Sequence, residues 1–235
     1  MKILSNLLSS ISGRAIILLL LAASATYFTA FATESEPKGT AQDTATNTND
    51  TKNDRKVDSL IVAGGCFWCV ESDFEPIKGV IEVTSGYING HVDHPTYRQV
   101  ASKKTGHYEV VRIDYYPSQI SARELTDYFW KTIDPTDDGG QFCDRGSPYK
   151  TGLFYQNAEQ KEIFEASLAD IKQTKPFAEE IVTPILAAKT FYTAEDYHQN
   201  YYAENTIRYK LYRSSCGRDK RIEKLWGEVA SKKHH

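Results

Sequence analysis

From Thr33 to Asp58 the chain is built of Thr, Asn, Asp, Lys, Glu and other small or polar residues, with almost no large apolar side chain. Such a segment cannot bury enough surface to offset the entropy lost on ordering it. It reads as a disordered tether over 33–58, and it divides the chain. Whatever packs around a core must come from 59–235, of which Ser59 to Trp226 is about 170 residues, enough for one sizeable domain. The segment 1–32 is of a different kind. Lys2 and Arg14 precede an uncharged stretch, Ala15 to Phe31, that ends in the small-x-small sequence Ala30-Phe31-Ala32. That is the pattern of a secretory signal peptide cut after Ala32. The alternative is an uncleaved membrane anchor, because about 17 uncharged residues is the short limit for crossing a ~30 Å hydrocarbon core. Either reading puts the domain outside the cytoplasm, periplasmic or secreted, with a tether to the inner membrane through the N-terminus in the second case. The terminal Lys232-Lys233-His234-His235 reads as a frayed, solvated tail.

With 28 Lys+Arg against 31 Asp+Glu the chain has no basic excess or stripe, so a nucleic-acid partner is not expected. Four cysteines are too few to staple a chain of this length. Leu60 to Ala63 reads as a strand running into Gly64-Gly65, and Cys66 to Phe74 as a helix. Strands follow over Val80–Tyr87 and His107–Tyr116 from their apolar alternation. The Ser121-Ala122-Arg123-Glu124 capping box opens a helix to about Lys131, and Asn157 caps another from Ala158 to about Gln173. Ile181 to Ala188 reads as an edge strand, since Pro184 cannot donate to a ladder. Thr193 to Asp196 caps what reads as the last helix, carrying Tyr197-His198-Gln199, with His198 in a structural role. The stretch Asp134–Lys150 and everything after Asn205 reads as loop. The expectation is an α+β single domain: a small mixed β-sheet flanked by helices, with a long loop-rich C-terminal segment and no sign of an obligate oligomer.

A strand, two glycines and a cysteine opening a helix form a recipe for a reactive thiolate. Unsatisfied N–H groups and the positive end of the helix dipole favour the anion there, and a thiol so placed falls below its usual 8.5. Cys66-Phe67-Trp68-Cys69 is also a CxxC. A structural zinc site needs two more ligands, and Cys143 and Cys216 stand alone without a second CxxC, which argues against metal. A CxxC thiol-disulfide oxidoreductase acting on other proteins stays open on pattern alone.

Gly65-Cys66-Phe67-Trp68-Cys69-Val70-Glu71 resembles the signature of the A-type peptide methionine sulfoxide reductases. The likeness continues in order through Thr84-Ser85-Gly86-Tyr87, Pro95-Thr96-Tyr97-Arg98, Thr105 to Val110, Asp134-Pro135-Thr136, Asp144-Arg145-Gly146 with Tyr149, Ala194 to Gln199, Tyr212-Arg213, and Cys216-Gly217-Arg218-Asp219. It spans essentially all of Leu60 to Trp226. The resemblance implies a thiol-dependent reduction of methionine S-sulfoxide, free or in peptides and proteins, with no metal or organic cofactor. Cys66 would attack the sulfoxide sulfur and Glu109, kept protonated by an apolar pocket, would serve the oxygen. Tyr97 and Tyr149 would hold that oxygen, Asp144 would position the network, and Phe67 and Trp68 would wall the methyl group. Cys66 would end as a sulfenic acid that a second thiol condenses to a disulfide, recycled by a thioredoxin-like reductant. For the resolving thiol Cys216 comes first, on a segment expected to be flexible enough to swing to Cys66. Cys69, one helical turn away, and Cys143, beside Asp144, stay open.

Overall fold

The computed structural model describes residues 56–227. The signal or anchor, most of the tether and the terminal tail lie outside the described residues. The centre is strand β1 (Asp58–Gly64), in which alternate residues feed two cores. Leu60 and Val62 point to one face, Ile61 and Ala63 to the other, and all four are buried. A strand buried on both faces cannot alternate apolar with polar, which is why Leu60 to Ala63 is an unbroken apolar run.

Six strands make the main sheet. β1 lies between β3 (Tyr108–Tyr115) and β6 (Thr151–Tyr155); β2 (Val80–Ile88) flanks β3, with β8 (Tyr192–Thr193) beyond it, and β7 (Ile185–Ala187) closes the β6 side. All neighbours are antiparallel except β6 and β7. β7 is an edge strand as expected but shorter than the 181–188 expected: it starts at Ile185, so Pro184 precedes it and takes no part in the ladder. One face carries helices α1 (Phe67–Phe74), α3 (Ala122–Trp130) and α4 (Ala158–Thr174), packing Phe74, Phe129, Trp130 and Phe164 against the strands. The Ser121 capping box and the Asn157 cap are both formed. Short α2 (Tyr97–Ala101) and the hairpin β4 (Gly140–Gln141) with β5 (Asp144–Arg145) flank the end of the sheet at which β1 gives way to α1. This is the α+β domain with a mixed sheet expected from sequence.

The C-terminal part differs from the expected loop. The supposed last helix around Tyr197 is only a 3₁₀ turn (Asp196–His198), interrupted by Asn200 in the left-handed region (φ 52°) before α5 (Tyr201–Glu204). Two longer helices follow, α6 (Thr206–Cys216) and α7 (Arg218–Trp226), joined at Gly217 with φ 74°. Their buried faces run through Tyr209 and Arg213, then Arg218, Ile222 and Leu225. Two of those five are arginines, so the helical period is hidden from any reading that counts apolar residues. Both are neutralised inside the fold: Asp73 on α1 pairs with Arg213 at 2.7 Å and with Arg218 at 3.3 Å, and Asp219 holds Arg213 at 2.7 Å.

Candidate active site

Cys66 is the N-cap of α1, and Gly65 before it is held at φ 86°, where a Cβ would lie 2.6 Å from Gln141. The turn between β1 and α1 therefore needs glycine, and it delivers the thiol to the end of the sheet. The sulfur is enclosed, not open: Cys66 is 7% exposed and Cys69 2%. Burial pushes the Cys66 thiol up, with the hydrogen bond it makes to Cys69 next and the negative charges of Cys69 and Glu109 behind it; the Tyr212 hydroxyl pulls the other way. This departs from the depressed thiol expected of a helix N-terminus, because desolvation outweighs the dipole here. Cys69 is lowered, first by the hydrogen bond from Cys66 and, against its own burial, by Arg218 and Arg213. Of the pair, Cys66 holds its proton more firmly and Cys69 is the more acidic thiol.

Glu109 sits on β3 opposite Tyr87 and is 1% exposed. Its Oε2 accepts the Phe67 backbone N–H at 3.3 Å, while Oε1 is buried with no hydrogen-bond partner among the described residues. Burial pushes the carboxyl up to about 8, against the pull of the Phe67 N–H, so it is a neutral acid at physiological pH. Tyr149, in the 3₁₀ turn Ser147–Tyr149, donates its hydroxyl to Tyr97 on α2. Burial raises both phenols, Tyr97 to about 12 and Tyr149 further, so both remain proton donors. Tyr97 is anchored by its N–H to Glu195 Oε1 (2.8 Å), whose Oε2 takes the Tyr87 hydroxyl (2.9 Å).

Phe67 is fully buried between Tyr87, Tyr97 and His198. Trp68 is half-buried, stacked on Tyr201 at 3.8 Å and donating its indole N–H to His198 Nδ1 at 3.2 Å. An imidazole that accepts there is neutral, and burial lowers His198 accordingly. His198 thus fixes the indole. These rings form an apolar wall beside the sulfur.

Asp144 on β5, its carboxyl raised by burial, accepts the Tyr212 hydroxyl. Cys143 and Cys216 are joined as a disulfide, while Cys66 and Cys69 are free thiols. Cys216 ends helix α6 and is not on the flexible loop expected for it. Cys143, Asp144 and Cys216 bring their donor atoms within 4.8 Å of one another, with the two sulfurs bonded to each other. Tyr212, Arg213 and Arg218 lie in the family-like blocks but carry no role in the sequence reading, and the two arginines show theirs only with Asp73 beneath them. A cleft of about 730 Å³ lined by Ser72, Tyr209 and Lys210 is lined by neither Cys66 nor Cys69.

A buried thiol pair, a neutral carboxylic acid and two neutral phenols beside an apolar wall are groups that suit thiol chemistry with proton donation in a water-poor pocket. Residues 58–230 match the family model described as peptide methionine sulfoxide reductase. The chain is 46% identical over 166 residues to peptide methionine sulfoxide reductase MsrA/MsrB of Vibrio cholerae, covering 71% of this chain and 44% of that protein. It is 47% identical over 165 residues to peptide methionine sulfoxide reductase MsrA of Bacillus subtilis, covering 70% and 93%. It thus spans less than half of the Vibrio relative and nearly all of the Bacillus one. Among solved structures it resembles Mxr1 from Saccharomyces cerevisiae in reduced form (TM-score 0.61, 30% identity, 64% of this chain and 87% of that one). It also resembles methionine sulfoxide reductase A of Corynebacterium diphtheriae (TM-score 0.58, 27% identity, 65% and 77%). The chain belongs to the A-type peptide methionine sulfoxide reductases, enzymes that use thiols to reduce peptide methionine (S)-S-oxide.

Proposed function

We propose that Cys66 attacks the sulfur of methionine S-sulfoxide while Glu109 passes its proton to the oxygen, with Tyr97 and Tyr149 donating hydrogen bonds to that oxygen and Asp144 positioning the network. Phe67 and Trp68 receive the methyl group. As the sulfur–oxygen bond breaks, methionine leaves, the hydroxyl stays on Cys66 as a sulfenic acid, and the proton that Cys66 sheds on attack restores Glu109 to its acid form. Cys69, the more acidic thiol of the pair and already hydrogen-bonded to Cys66, attacks that sulfur; a disulfide forms and the hydroxyl departs with the Cys69 proton as water. Exchange with Cys143 and Cys216 then moves the oxidation to the outer pair, and a thioredoxin-like dithiol reduces it. The observation that carries this reading is Glu109, a neutral carboxyl buried one residue from the nucleophile with one oxygen unpaired. Burial of both inner thiols weighs against the rival reading, a CxxC oxidoreductase, which must present its sulfur to another protein's disulfide.

The domain acts as a monomer outside the cytoplasm, tethered or released according to whether Ala32 is cut. Support for the location is the charged start and apolar run of residues 1–32. Turnover of the two separated epimers of a methionine sulfoxide peptide, by the full chain and by Cys66→Ser, tests the reaction. Reduction of the S epimer alone, lost in the variant, is expected; equal activity without Cys66 sinks the nucleophile assignment.

A further inference from the structure

Glu71 is a fully buried carboxyl that the chemistry above does not use. It lies on α1 three residues after Trp68, so the two side chains leave the same side of the helix. Both meet one short segment of the chain. Trp68 donates its indole N–H to His198 Nδ1 at 3.2 Å and is covered by the Tyr201 ring, with centroids 3.8 Å apart and planes 10° from parallel. Between those two contacts Glu71 Oε1 accepts the backbone N–H of Asn200 at 2.8 Å. At Asn200 the chain passes through the left-handed region, from the 3₁₀ turn that carries His198 to helix α5 that carries Tyr201. The N–H held by Glu71 therefore sits at the pivot between the two rings that hold the indole. Gln199 clamps the same segment to the sheet, its side chain bonding the Ser85 N–H (2.9 Å) and the carbonyls of Ser85 (3.0 Å) and Ala194 (2.9 Å).

We propose that Glu71 is a positioning residue for the wall that receives the methyl group: through the Asn200 N–H it fixes the left-handed turn, the turn places His198 and Tyr201, and these place the Trp68 indole, so that Glu71 governs how large a group on the sulfur the pocket accepts. This deepens the function proposed above and rests on Trp68 being part of that wall. The role requires only an acceptor. A carboxylate, a carboxylic acid and a carboxamide each offer an oxygen to the Asn200 N–H, whereas a hydrocarbon of similar size leaves that N–H without its partner. The Gln199 clamp does not involve Glu71 and still ties the segment to the sheet when the acceptor is lost. The effect therefore falls on the indole and not on the fold. The rival route is Glu75, one helical turn further along α1, which accepts the Tyr202 hydroxyl and joins α5 to α1 without Asn200.

The test is kcat/KM of the full chain for two peptides that differ by one methylene, one carrying methionine S-sulfoxide and the other ethionine S-sulfoxide. The parent should prefer the methyl compound by about tenfold or more, the usual discrimination of a fitted pocket against one added methylene. Glu71→Leu should cut that preference at least about threefold, while Glu71→Gln, which keeps the acceptor, should stay within about twofold of the parent. Asn200→Ala leaves Glu71 intact but strains the left-handed turn, so it should lower the preference in the same direction even if Glu71→Leu is too unstable to assay. Asn200→Gly, which adopts that φ freely, should not. In a Trp68→Phe background the preference should already be reduced, and Glu71→Leu should lower it no further. An unchanged preference in Glu71→Leu or in Asn200→Ala overturns the proposal. So does a loss as large in Glu71→Gln as in Glu71→Leu. A loss in Tyr202→Phe with none in Glu71→Leu also overturns it and assigns the placement to Glu75. Failure of the underlying wall reading would show separately, as a methyl preference that survives intact in Trp68→Phe.

Discussion

Glu109 Oε2 accepts the backbone N–H of Phe67, the residue after Cys66, at 3.3 Å. Acid and nucleophile are therefore held in fixed register by one hydrogen bond across the join between β3 and α1. That bond stabilises the charged carboxylate, yet burial wins and leaves the acid protonated. Glu109→Gln keeps the shape and a hydrogen-bond donor but has no proton to give. Turnover of a methionine S-sulfoxide peptide should fall by roughly a hundredfold or more, with little change in KM. A variant within a few-fold of the parent would remove Glu109 from the acid role.

The same carboxyl sets the alkaline limb of the pH profile. Activity needs the protonated form, so kcat/KM should decline as pH rises through about 8. Glu109→Gln should lose that limb. Measurement of kcat/KM from about pH 6 to about pH 10 decides it.

Stability should carry the opposite signature from the usual surface carboxylate. Glu109 in the fold titrates at about 8 and Glu71, buried on α1 with the Asn200 N–H on its Oε1, at about 7. Both lie above the value of about 4.3 for an unfolded Glu. Between those limits the folded chain binds more protons than the unfolded one, so stability falls as pH rises through the window. The melting temperature should drop steadily from about pH 5 to about pH 8, and the drop should shrink in Glu109→Gln. A flat profile in both proteins would mean that the two carboxyls ionise normally.

Much of this was legible in the order of residues because the physical signal was local. The Gly64-Gly65-Cys66 turn, the Ser121 capping box and the Asn157 cap each depend on a few neighbours in the chain, and each appears as read. Glu109, Tyr97, Tyr149 and Asp144 came from spacing shared with a family, and the fold brings them to one pocket. What stayed hidden was long-range electrostatics. Arg213 and Arg218 look like surface residues until Asp73, about 140 residues earlier, is found beneath them at hydrogen-bond distance. Two helices were read as loop for that reason, and Cys216 was given a freedom that its place at the end of α6 denies it. The lowered pKa expected of Cys66 failed in the same manner, since a helix N-terminus is visible in sequence and enclosure of the sulfur is not.

Arg218 should therefore be among the least replaceable residues of the domain. Its guanidinium donates to the carbonyls of Gly64 (2.9 Å) and Thr132 (2.8 Å) and to Asp73, beneath the turn that carries Cys66. Arg218→Ala leaves two buried carbonyls without their donor and should cost on the order of 3–5 kcal/mol in urea unfolding. Arg218→Lys should recover little of it, because one ammonium cannot span the three acceptors. A loss below about 1 kcal/mol would show that these carbonyls find other partners.

Counting methionine released without any reductant tests the order of the thiols. Each cysteine pair can surrender two electrons, and reducing one sulfoxide consumes two. If oxidation passes from Cys66–Cys69 to Cys143–Cys216, a fully reduced chain should yield about two methionines before it stops. Protein in the state described here, with Cys143–Cys216 already closed, should yield about one, as should Cys143→Ser with Cys216→Ser. The sites of the final disulfides should match: mass mapping should find Cys66–Cys69 closed in every spent protein and Cys143–Cys216 closed as well in the wild type. About one methionine from fully reduced wild type would separate the two pairs and leave the outer disulfide a purely structural tie.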